Sequence, residues 1–127
     1  MINNFLIINC IGKDDKLGLR INKDFFIHVI KKEDNMSETL VSEILKFLLK
    51  HKVVLNQNFS VIVNQGPGRY SGVRIALSVA KGLEISNKVK LFGFRNTDLK
   101  QFDLENIERL FNKKLIEKKL IKPIYLS

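Results

Sequence analysis

Asn64-Gln65-Gly66-Pro67-Gly68-Arg69-Tyr70-Ser71-Gly72-Val73-Arg74 is the stretch on which the fold of this chain turns. Before it runs Phe59-Ser60-Val61-Ile62-Val63, β-branched and aromatic, which reads as a buried strand. Gly66-Pro67-Gly68 stops that strand, because glycine admits backbone angles closed to other residues and proline cannot continue a ladder. Ser71 is placed to cap the free amides of a helix expected from about Gly72 to Glu84. The unit is therefore strand, tight glycine turn, helix. Such a turn aims backbone amides and the positive end of a helix dipole at whatever lies above it, and Arg69 and Arg74 add full charges. Two readings stay open: an anion or partner site, or a tight crossover with no ligand. The stretch lacks the Lys-Ser/Thr ending of a nucleotide P-loop and the three-glycine spacing of a dinucleotide fingerprint, which argues against a standard nucleotide loop.

Outward from this unit the chain alternates between strand and helix patterns. Phe5-Leu6-Ile7-Ile8-Asn9-Cys10 is a continuous apolar run, as expected of a central strand covered on both faces. Leu17–Ile21 and Phe25–Ile30 alternate around the short link Asn22-Lys23-Asp24, so an antiparallel meander is expected. Ser37 is a good N-cap, with Met36 able to staple against Val41; Leu40, Val41, Ile44, Leu45, Leu48 and Leu49 follow at helical spacing, with Phe47 beside them. In the helix after the glycine turn, Val73, Ala76, Leu77, Ala80 and Leu83 form one apolar face, and Ile75 and Val79 begin another. A helix apolar on two sides is buried on two sides. One side meets the sheet; the second meets either another chain or the first helix. Val89–Phe94 reads as a fifth strand, Thr97–Gln101 as one helical turn, and Asp103 as the cap of a last helix carrying Leu104, Ile107, Leu110, Phe111 and Leu115. Pro123 ends any helix, and Ile124-Tyr125-Leu126 reads as an extended tail.

The order β-β-β-α-β-α-β-α is that of an α/β, ribonuclease-H-like or actin-like (ASKHA) half-domain. It predicts a mixed five-stranded sheet in the order 3-2-1-4-5 with helices on both faces. The 127 residues suit one domain, with a core over 1–100 and a C-terminal helix and tail over 101–127. No apolar run approaches the ~20 residues of a membrane span, and the start does not read as a signal peptide. A single cysteine, Cys10, gives no disulfide framework, so a cytoplasmic location is the default. The net charge of +9 suits either a polyanion such as RNA or a generally solvated basic surface. The densest basic run, Lys113-Lys114, Lys118-Lys119 and Lys122, has little aromatic interleaving.

Catalytic patterns are scarce. His28 and His51 have no partner at ligand spacing, and a histidine on an apolar strand such as His28 reads as structural. A ribonuclease-H-type nuclease needs carboxylates converging on the central strands to hold two metals. Strand one offers Asn9 and strand four Asn64 and Gln65, while Asp14, Asp15 and Asp24 fall in turns where a solvated role is expected. Cys10 has no nearby base. The residues alone read as a non-catalytic half-domain that works by binding.

Gly66-Pro67-Gly68-Arg69-Tyr70-Ser71-Gly72-Val73-Arg74-Ile75, followed by Ala80-Lys81-Gly82-Leu83, closely resembles the signature of the TsaB (YeaZ) family, Gly-Pro-Gly-Ser-Phe-Thr-Gly-Leu/Val-Arg-Ile/Val and then Ala-Lys/Gln-Gly-Leu. Arg69, Tyr70 and Ser71 depart from Ser, Phe and Thr. Phe5–Cys10 resembles the opening strand but ends Asn9-Cys10 instead of Asp-Thr; Met36-Ser37-Glu38-Thr39-Leu40 resembles a helix start with Met36 in place of histidine; Pro123-Ile124-Tyr125-Leu126 resembles the terminal Pro-x-Tyr-Leu. Most of the family's second domain has no counterpart in this sequence. The resemblance implies a scaffold that pairs with the catalytic subunit TsaD and, with the ATPase TsaE, helps build threonylcarbamoyladenosine on tRNA. ATP and metal are then expected on those partners and none on this chain, and tRNA is met indirectly. The resemblance implies pairing, with TsaD or with a second copy, through the two helices. Met36, Leu40, Ile44 and Phe47 on the first and Val73, Leu77 and Ala80 on the second are the expected face. The loop Gly66, Pro67, Gly68, Arg69, Ser71, Gly72 and Arg74 then reads as a rigid crossover that places the second helix, with Arg69 and Arg74 as partner or tRNA contacts. The rival readings are a basic RNA-binding half-domain, an actin-like phosphotransferase or metallopeptidase relative, and a ribonuclease-H-like interaction domain of an unrelated complex.

Overall fold

Five strands form one sheet in the order β3-β2-β1-β4-β5 in a computed structural model that describes residues 3–31, 36–68, 70–118 and 121–124, without the side chains of 36–39 and 70. The strands are β1 (Phe5–Asn9), β2 (Asp15–Ile21), β3 (Asp24–Ile30), β4 (Ser60–Asn64) and β5 (Lys90–Phe94). β1 pairs antiparallel with β2, placing Ile7 opposite Gly18, and β2 pairs antiparallel with β3. On the other side β1 pairs parallel with β4, and β4 parallel with β5. This is the expected meander followed by two parallel connections, because most of the apolar runs are rich in β-branched or aromatic residues and each link fits its connection.

The helices are α1 (Met36–Lys50), α2 (Tyr70–Asn87) and α3 (Leu104–Asn112). β1 is buried on both faces, and its alternating side chains serve two separate cores. Leu6 and Ile8 join Val61, Val63, Leu17 and Leu19 under α1 and α2. Phe5 and Ile7 join Ile62, Phe94, Ile107 and Leu110 under α3. Each of these fully buried aliphatic side chains contributes about 1.5–3 kcal/mol. α1 lies against α2 on the first face, so part of the second apolar side of α2 is covered within the chain. α3 is short and leaves Ile27 and Val29 of β3 about half exposed.

The ends of the elements depart from the sequence expectation. α2 starts at Tyr70 and runs on to Asn87, so Ser71 lies inside its first turn, exposed, and does not precede it as a cap. α1 begins at Met36, so Ser37 is also inside; its capping and the Met36 staple involve side chains outside the described residues. Tyr125 and Leu126 are outside them too. α3 is capped as expected: the Asp103 side chain accepts from the Asn106 N–H at 2.9 Å. That backbone hydrogen bond, then the Asn106 side chain, holds the Asp103 carboxyl below the ordinary aspartate range. α3 stops at Asn112, short of Leu115. Lys114 takes φ 55°, and the amides of Lys114 and Leu115 turn back to the carbonyls of Phe111 and Leu110. The single turn after β5 spans Asn96–Asp98. Asp15, expected in a solvated turn, is buried at the start of β2 opposite Ile30.

Candidate functional site

The glycine turn sits at the carboxyl ends of the parallel strands, where α/β sheets hold their ligands. Three amides meet there. Asn64, fully buried at the end of β4, donates from Nδ2 to Asn9 Oδ1 at the end of β1 (2.7 Å) and to Asn96 Oδ1 beyond β5 (3.1 Å). Its Oδ1 accepts from the Gly66 N–H at 2.8 Å. Gly66 O accepts from the Asn96 N–H at 2.8 Å, and the Gln65 N–H donates to Phe94 O at 2.9 Å. The segment beyond α3 then returns to the turn: Gln65 Nε2 donates to Lys122 O (3.0 Å) and the Ile124 N–H to Gln65 O (2.7 Å).

The two flanking glycines are required by this closeness. Gly66 stands at φ 91°, and a Cβ there would lie 2.9 Å from Ile124 O. A Cβ on Gly68 would come within 2.8 Å of Ile11 Cβ. Pro67 is half-buried and Gly72 buried, while Arg74 is exposed on the first turns of α2. Arg69 lies outside the described residues. The Gln65 and Gly66 amides are thus spent on the chain's own oxygens, and the turn is clasped to the end of β5 and to the Lys122–Ile124 segment. Asn96 and the Lys122–Ile124 segment were not foreseen in this role; the three strand-end asparagines are the signal that could have marked them.

The expected pairing residues fall elsewhere. Leu40, Ile44, Phe47, Val73, Leu77 and Ala80 are all at most 6% exposed and belong to the chain's own core. Within the single chain the sheet and the α1–α2 contact cover most of their surface, although Ile44 still lines a groove between the helices. The side chain of Met36 is outside the described residues. The two helices nevertheless leave an apolar groove of about 400 Å³ between them. Val41 (42% exposed) and Leu45 (53%) stand on its α1 wall, Val79, Gly82 and Leu83 on its α2 wall, with Ile44 also lining it. By helical spacing Val41, Leu45 and Leu83 fall on the main apolar stripes and Val79 on the second side of α2; that spacing alone does not say which part of a wide apolar face a neighbouring helix covers.

Among the described residues no group of three or more His, Cys, Asp or Glu side chains is arranged to hold a metal. His28, on β3, bonds Glu43 of α1 at 2.8 Å and stacks on Phe47. No helix of the described residues is long and apolar enough to cross a membrane.

Sheet order, strand sense and helices on both faces define an actin-like (ASKHA) half-domain. Solved structures agree: YeaZ from Pseudomonas aeruginosa superposes with a TM-score of 0.69 at 17% identity, over 88% of this chain and 50% of that one. A second structure, described as an uncharacterized protein with similarity to peptidase YEAZ from the same organism, gives 0.69 over 88% and 49%. The sequence is similar to two proteins named tRNA threonylcarbamoyladenosine biosynthesis protein TsaB, both of Buchnera aphidicola: 33% identical over 63 residues for subspecies Schizaphis graminum and 43% over 61 residues for subspecies Baizongia pistaciae. The chain thus has the fold of YeaZ and shares sequence with TsaB proteins over about half its length. The matches span 50% and 44% of this chain but only 29% and 26% of those relatives' lengths. No family model matches it.

Proposed function

We propose that this chain acts in tRNA threonylcarbamoyladenosine biosynthesis as a non-catalytic scaffold, pairing with a TsaD-type catalytic subunit through the groove between α1 and α2. In the absence of that subunit the same groove serves a second copy, and ATP and metal belong to the partners, a TsaE-type ATPase among them. The observation that carries the reading is the groove itself. An apolar cleft between two helices, with Val41 and Leu45 half exposed beside it, is surface that a partner helix can bury. The relatives' name supplies the pathway. The non-catalytic part is supported by Asn9 at the end of β1, where the family strand carries an acid, and by its amide being committed to Asn64.

The test is co-purification with a TsaD-type subunit. Leu45→Glu puts a charge into the groove without disturbing the core and is expected to weaken pairing by at least about tenfold. Ile27→Glu, on the far edge of the sheet at a similarly exposed position, is expected to leave pairing intact. Undiminished pairing in Leu45→Glu would sink the assignment.

A further inference from the structure

A second cleft, of about 490 Å³, opens between the outer strand β3 and α1, and it shares no lining residue with the α1–α2 groove. Its wall is aromatic. The Phe26 and His51 rings stack at 4.0 Å with planes 26° apart, and Phe47 meets His51 edge-on at 5.3 Å. Phe26 and His51 are only partly buried, so ring surface reaches the cleft. Its rim is cationic: Lys46 and Lys50 stand one turn apart on α1, both exposed. The one acid in the lining, Glu43, is already held by His28.

A stacking platform flanked by two lysines matches one chemistry above others, a flat base carrying a phosphate. The polar groups around it are partly or fully exposed and do not form a deep enclosing shell, which suits a strand passing over the surface better than a sequestered free nucleotide. The charge of the whole chain, 22 Lys+Arg against 13 Asp+Glu, favours the same polyanion. We infer that the β3–α1 cleft binds single-stranded RNA, with a base on the Phe26–His51 platform and the adjoining phosphates on Lys46 and Lys50. The site is separate from the pairing groove, so it is testable on the chain alone and stands whether or not the TsaD-type partner is found.

The measurement is fluorescence anisotropy of a short labelled oligoribonucleotide titrated with the purified chain over a series of salt concentrations. The double variant Lys46→Gln, Lys50→Gln is expected to lose affinity and to lower the salt slope by roughly 1.4, two phosphate contacts' worth for a single strand. Lys81→Gln with Lys90→Gln removes the same charge from exposed positions outside the cleft and is expected to change the slope much less. His51→Ala is expected to cost roughly fivefold or more, and His51→Tyr, which keeps a ring on Phe26, to restore most of the loss. Equal effects of the two lysine pairs would overturn the site, since binding would then be charge alone. So would binding of ATP or of an acidic peptide in place of the oligonucleotide.

Discussion

Asn64 is the side chain with most at stake in the glycine turn. It has no exposed surface, and it spends two donor bonds and one acceptor bond on Asn9, Asn96 and Gly66. Replacing it with Asp sets a carboxylate against two acceptor oxygens and buries a charge. Asn64→Asp is expected to destabilise the chain by roughly 3–5 kcal/mol, and Asn64→Ala by about 2–3 kcal/mol through the orphaned partners. Urea unfolding followed by circular dichroism checks both; an Asp variant as stable as the parent would contradict the clasp. The glycine stretch stood out in the sequence because Gly and Pro punctuate it. Its meaning did not, because the amides that occupy its carbonyls come from Asn96 and Ile124, far along the chain.

At the scale of elements, the order, sense and pairing of strands were legible, since each is set by an apolar run and a link length. Several helix ends were not, although the end of α1 near Lys50 and the Asp103 cap of α3 were. A lysine in the left-handed region follows each of the three helices: Lys52 after α1, Lys88 after α2 and Lys114 after α3. Glycine is the usual residue there, so α2 carried no clear stop signal and ran past its expected end. The backbone accepts the strain because the carbonyls of Leu48 and Leu49, and of Leu110 and Phe111, are satisfied by the amides beyond. A left-handed lysine costs about 1–2 kcal/mol and glycine's extra freedom about 0.5–1 kcal/mol, so Lys114→Gly is expected to gain roughly 0.5–1 kcal/mol. A thermal melt reads the gain directly, and a fall in midpoint would refute the account.

For the molecule as a whole, β1 is the shared wall of two cores. Leu6 faces the helices α1 and α2, while Ile7 faces α3, and both are fully buried. Neither core can open without exposing the back of the other. Leu6→Ala and Ile7→Ala are each expected to cost about 2–5 kcal/mol and to shift one cooperative transition, seen alike by far-ultraviolet circular dichroism and by denaturant sensitivity of the aromatic signal. A separate early transition in Ile7→Ala alone would show that α3 comes away by itself. The candidate pairing surface was half legible at this scale. The excess apolar character of α1 and α2 announced a covered face, but the residues first assigned to it are the ones the sheet buries. Which half of an apolar helix is left over is decided by the angle at which its neighbours meet it, and that is a property of the assembled layers, not of either segment.

The return of Lys122–Ile124 to the glycine turn bears on how the protein is made. Translation delivers β4 and the turn long before it delivers Ile124, so during synthesis Gln65 O and the Gln65 side chain wait without these partners. The sheet can assemble early from its neighbouring strands, yet the turn that orients α2 receives these hydrogen bonds only when Lys122–Ile124 has left the ribosome. The nascent chain therefore completes the seating of α2, and with it the groove beside α1, only after α3 and the segment behind it have been made.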